Sequence, residues 1–66
     1  MIHNLVKEIR ENRLMSKNEL AKMAGVSPIT VGRIENGMAC QISTKRKLLF
    51  ALGYGLNDKQ KVFPRD

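Results

Sequence analysis

The chain has 66 residues, enough for one domain around one small core, and 42 % of them are hydrophobic with two Phe, one Tyr and no Trp, so Leu, Ile, Val, Ala and Met must fill a small helical interior. Twelve Lys and Arg against six Asp and Glu give a formal net charge of +6, which favours an anionic partner, either nucleic acid or an acidic membrane surface. No run of about 18 apolar residues exists, and Ile2, Leu5 and Val6 alternate with Lys7, Glu8 and Arg10, so the sequence shows neither a membrane span nor a signal peptide and a cytoplasmic location is expected.

Ile2, Leu5, Val6 and Ile9 recur at the spacing of one helical stripe and predict a first helix over residues 2–13. The segment SKNE, residues 16–19, is a capping box, with Met15 placed to staple onto Leu20. A second helix therefore starts at Ser16 or Lys17 and ends near Ala24, where Gly25 can adopt the left-handed conformation. Ser27 and Pro28 supply a cap and a first helical residue for a third helix, which Gly37 stops. On that helix Val31 and Ile34 point one way, with Glu35 beside them, while Ile29 and Arg33 point roughly opposite and Gly32 and Asn36 lie on a flank.

After a loop holding Met38 to Gln41, Ser43 or Thr44 is expected to cap a fourth helix carrying Leu48, Leu49, Ala51 and Leu52. Its first turn holds Lys45, Arg46 and Lys47, against the sign its dipole prefers, and such a terminus invites an external anion. The tail, residues 57–66, has Asn57 as a cap, one short turn or helix, and Pro64 as a stop. Leu56, Val62 and Phe63 either close the core or form a dimer contact. One Cys40 and one His3 give no internal disulfide, no zinc site of four protein ligands and no nucleophile with its base, so no catalytic residue, metal or cofactor is expected.

The turn GVS between the second and third helices is too short for anything but a steep crossing, a helix-turn-helix signal. The segment SKNELAKMAGVSPITVGRIENG, residues 16–37, resembles the helix-turn-helix of the phage repressor and Cro-like DNA-binding family, and LLFALG, residues 48–53, is similar to that family's fourth helix. The resemblance covers residues 2–56 and implies an all-α, four- to five-helix bundle, and the length makes it a single domain over residues 1–66. It implies a transcriptional regulator, by preference a repressor, that inserts the third helix in the major groove of double-stranded DNA as a homodimer.

By the same resemblance the base-reading positions are Pro28, Ile29, Gly32 and Arg33. Ile29 suits a thymine methyl and the planar fork of Arg33 suits guanine O6 and N7. A mid-helix glycine on an outward flank costs stability, so Gly32 suggests that a groove wall or base edge comes close there. Phosphate contacts fall to Lys17, Asn18, Asn36 and Ser43, with Lys45 or Arg46. Glu35, near the buried side, needs a cation, which Arg10 or Arg13 can supply, and the resemblance favours an Arg10 to Glu35 ion pair. Two alternatives stand beside this reading. One is a DNA-binding antitoxin or subunit that works through a protein partner. The other is a protein-interaction module that uses its basic face on an acidic protein.

Overall fold

A computed structural model describes residues 4–64, and all regular structure among them is helical. The order is α1 (Val6–Asn12), α2 (Lys17–Ala24), α3 (Pro28–Glu35), α4 (Ile42–Ala51), a single 3₁₀ turn (Leu56–Asp58) and α5 (Lys59–Val62). This is the all-α bundle expected, with five helices.

Helix α1 starts later than the apolar stripe suggests. Residues 2 and 3 lie outside the described residues, and the chain at Asn4 and Leu5 is not helical. The Asn4 side chain replaces a helical turn, because its Oδ1 accepts from the Val6 N–H at 3.1 Å while its Nδ2 donates to the Ile34 carbonyl at 2.6 Å. The Leu5 N–H donates to the Val62 carbonyl at 2.8 Å. The Asn4 side chain and the Val62 carbonyl therefore satisfy backbone donors that a longer helix would have satisfied internally.

The capping box of α2 is formed in both directions. Ser16 Oγ accepts from the Glu19 N–H, Glu19 Oε1 accepts from the Ser16 N–H, and both distances are 3.0 Å. Met15 packs against the core. Gly25 ends α2 at φ +74°, a value open to glycine without the Cβ clash other residues meet. Ser27 Oγ accepts from the Thr30 N–H at 3.1 Å, and Pro28 takes the first position of α3, where no N–H is needed.

The cap of α4 corrects an expectation. The helix begins at Ile42 behind Gln41, whose side chain makes no capping bond, and Ser43 and Thr44 lie inside the first turn. Gln41 is extended at φ −69° and ψ 154°, so its backbone turns the chain into the helix before either hydroxyl can cap it. In the tail, Asn57 likewise falls inside the 3₁₀ turn and Gly55 precedes it. Asp58 stabilises that turn: its Oδ2 accepts from the Gly55 N–H at 3.2 Å and its Oδ1 lies 3.2 Å from Lys61 Nζ. These contacts, the Gly55 hydrogen bond first, hold the Asp58 carboxyl below the usual carboxylate range.

The core gathers Val6 from α1, Leu20, Ala21 and Ala24 from α2, Val31 and Ile34 from α3, Leu48, Leu49 and Leu52 around α4, and Val62 and Phe63 from the tail. Val62 and Phe63 thus close the core, whereas Leu56 is 54 % exposed and faces outward. Leu20, Leu48 and Leu52 are fully enclosed, each stabilising the fold by about 1.5–3 kcal/mol relative to an exposed side chain. Ala21 is small enough to let α2 and α3 approach closely, and among the described residues these two helices form the most extensive helix contact.

Candidate nucleic-acid interface

Burial divides α3 into two faces. Val31 and Ile34 are enclosed, while Pro28, Ile29 and Arg33 are exposed and Gly32 is half-buried at the flank. Ile29 is 68 % exposed, on a helix whose other face is fully packed. Arg33 forms no salt bridge among the described residues, so its guanidinium is available to an outside acceptor. The one acid of α3, Glu35, is turned away from this face.

Glu35 and Arg10 face each other beneath α3. Arg10 Nε donates to Glu35 Oε2 at 2.7 Å and Arg10 Nη2 donates to Glu35 Oε1 at 3.3 Å, a two-pronged contact between side chains only 8 % and 3 % exposed. Arg10 Nη1 also donates to the Met15 carbonyl at 2.8 Å. The guanidinium pKa is raised, chiefly by the hydrogen bond to Glu35 and against the opposing effect of burial, so Arg10 stays charged at any working pH. With this pair enclosed, the anion of α3 is neutralised where it would otherwise repel a polyanion.

Arg13, the other candidate partner for Glu35, goes elsewhere. Its Nη1 donates to the Leu52 carbonyl at the end of α4, and its guanidinium lies 5.4 Å from the Tyr54 ring centre. Cationic donors suit a helix C-terminus.

Lys17 and Asn18 occupy the first two positions of α2 and are exposed, as is Asn36 at the C-cap of α3. Lys17 reaches toward α3: a Cβ added at Gly32 would lie 3.8 Å from its Nζ. At the start of α4, Ser43 and Arg46 are exposed and stand three residues apart on one helical face. Lys45 is half-buried, with its ammonium 5.8 Å from the Phe63 ring centre, so it lies on the inner side of that turn. The open backbone N–H groups of the uncapped α4 start add partial positive charge.

Two contributors to this geometry were not anticipated from sequence. Asn4 pins the end of α3 through the Ile34 carbonyl, a contact so distant along the chain that no local pattern signals it. Leu14, 91 % exposed and at φ +57°, turns the chain from α1 into α2 in a conformation that disfavours its side chain. Nothing in its sequence neighbourhood signals this.

A short turn between two closely packed helices, the second of them carrying an exposed face, defines a helix-turn-helix. The chain belongs to the helix-turn-helix family HTH_3, whose profile matches residues 6–56. Among solved structures it is similar to an HTH_3 family transcriptional regulator from Vibrio cholerae, with 28 % identity and a TM-score of 0.75 over 85 % of this chain. The chain spans 32 % of that protein's length. No curated protein matches the sequence. Among the described residues no helix is long and apolar enough to cross a membrane.

Proposed function

We propose that this chain is a sequence-specific, double-stranded DNA-binding transcriptional regulator of the cytoplasm, by preference a repressor. The observation that carries the reading is the outward face of α3, where Ile29 and Arg33 are exposed beside a flank without a side chain at Gly32, on a helix whose only acid is sequestered by Arg10. In this reading α3 enters the major groove. Arg33 donates to guanine O6 and N7, Ile29 packs on a thymine methyl, and Pro28 and Gly32 let the backbone approach the bases. Asn18, Asn36, Ser43 and Arg46 hold the flanking phosphates, with Lys45 adding charge behind them and the α4 N-terminus adding its amides. Two copies bind symmetrically, and Tyr54 and Leu56 supply contact between them, Phe63 being enclosed in the core.

Selection of bound duplexes from a random pool, repeated with Arg33→Ala, tests this. A two-fold symmetric motif is expected, and Arg33→Ala should lose preference at one base pair per half-site at a cost of about 1–3 kcal/mol. Recovery of no motif by the unaltered chain would refute sequence-specific binding.

Exposed Ile42, Phe50 and Leu56 favour a second reading, a DNA-binding antitoxin or subunit that works through a protein partner. A reconstituted complex whose formation is lost on changing these residues to Ser, with DNA binding retained, would support it.

A further inference from the structure

Lys17 is the first residue of α2, and its side chain reaches to the flank of α3. Its ammonium lies against the flank of α3 at Gly32, where an added Cβ would stand 3.8 Å from Nζ and, apart from the neighbours Val31 and Arg33 and the helix's own backbone, no other described heavy atom comes within 4 Å. No carboxylate pairs with Lys17 among the described residues. We infer that Lys17 is a specificity-determining residue, whose ammonium accompanies α3 into the major groove and donates to a purine acceptor, guanine O6 or N7, beside the base pair read by Arg33. This rests on the proposed insertion of α3.

Space and chemistry both lead to this assignment. A helix with its side chains is about 10–12 Å across and the major groove about 12 Å wide, so a side chain at position 32 would take up the clearance along that flank. Glycine leaves it open to the head of a long, unbranched lysine side chain. Its three donors rotate freely on a long stem and need no fixed fork geometry. The other reading positions also leave a need. Pro28 has no donor and Ile29 offers only methyl groups, so Arg33 alone would supply side-chain hydrogen bonds to the bases. A second donor from α2 gives each copy two hydrogen-bonded positions.

The test compares the unaltered chain with Lys17→Ala, Arg33→Ala and, as a charge-matched control, Lys22→Ala at the exposed end of α2. Each is passed through random-pool selection and then titrated on the selected duplex and on a scrambled one of equal length. Circular dichroism confirms folding. For Lys17→Ala the expected result is a motif that loses one base-pair preference, different from the one lost with Arg33→Ala. Affinity should fall roughly five- to 150-fold on the selected duplex, and on the scrambled duplex no more than with Lys22→Ala. An unchanged motif with equal losses on both duplexes would make Lys17 a phosphate contact and overturn the assignment while leaving the proposed function standing. If the unaltered chain selects no motif, the proposed function falls and this assignment with it.

Discussion

An alanine at position 32 would meet nothing tighter than Lys17 Nζ at 3.8 Å, an ordinary van der Waals distance, so the interior of the chain does not require glycine there. Its backbone is helical, and glycine in a helix interior costs about 0.5–1 kcal/mol relative to alanine. Gly32→Ala should therefore stabilise the fold and raise the melting temperature by roughly 2–8 °C, read by thermal denaturation. The same change should weaken binding to the selected duplex, because the added methyl occupies the clearance along the groove. Higher stability with unaltered binding would make the glycine a neutral surface residue. The Arg10 to Glu35 pair has the opposite character, since here the interior sets the requirement. Arg10→Met would leave an enclosed carboxylate without its counter-charge and the Met15 carbonyl without its donor, a loss of about 3–5 kcal/mol. That is comparable with the whole stability of so small a core, and urea denaturation should find the variant largely unfolded. Adding Glu35→Leu should restore much of the loss, since an apolar pair leaves no charge buried.

Helix starts show which local signals the sequence carries and which it lacks. The starts of α2 and α3 were legible because their caps are local. Ser16 with Glu19, and Ser27 with Thr30, satisfy amides three residues apart, and Pro28 has no amide to satisfy, so the pattern is complete in a short window. The start of α1 depends on Asn4 reaching Ile34, thirty residues away in the chain, and no local pattern encodes that contact. At α4 the sequence offers two good capping hydroxyls, Ser43 and Thr44, but the backbone turns at Gln41 and strands both inside the helix. The reading face of α3 was legible in its period, because Val31 and Ile34 mark the buried side. The reach of Lys17 across to Gly32 was not, since a flexible stem leaves no periodic trace. The bare α4 start also has a measurable consequence. Gln41→Asp should cap the helix and offset its cationic first turn, raising stability by about 0.5–2 kcal/mol. If the α4 amides and Arg46 meet phosphate, the same carboxylate should weaken DNA binding on selected and scrambled duplexes alike. A gain in stability without any loss of binding would remove α4 from the DNA contact.

The size of the whole molecule limits how two copies can meet. The fold measures 24 × 24 × 23 Å between Cα atoms, whereas half-sites one helical turn apart are centred about 34–36 Å from each other. Two copies on adjacent turns of one DNA face therefore leave about 10 Å between their backbones, a gap that side chains from both must span. A standard stable interface buries about 800 Å² on each partner, a large share of the 4482 Å² this molecule exposes. Tyr54 and Leu56, one half-buried and one exposed, do not approach that area across such a gap. The net charge of +6 adds repulsion between free copies, which DNA phosphates relieve on the duplex. The chain should therefore sediment as a monomer at micromolar concentration and pair only on DNA. Binding to a symmetric site should be cooperative, and inserting five base pairs between the half-sites should abolish cooperativity while each half-site keeps its own affinity, because half a turn places the copies on opposite faces of the duplex. Sedimentation without DNA and titration of the two duplexes measure both quantities. A stable dimer in free solution would require a larger interface than Tyr54 and Leu56 provide, drawing in the exposed Ile42 and Phe50 of α4. Retained cooperativity after the insertion would mean that the copies communicate through the DNA and not through direct contact.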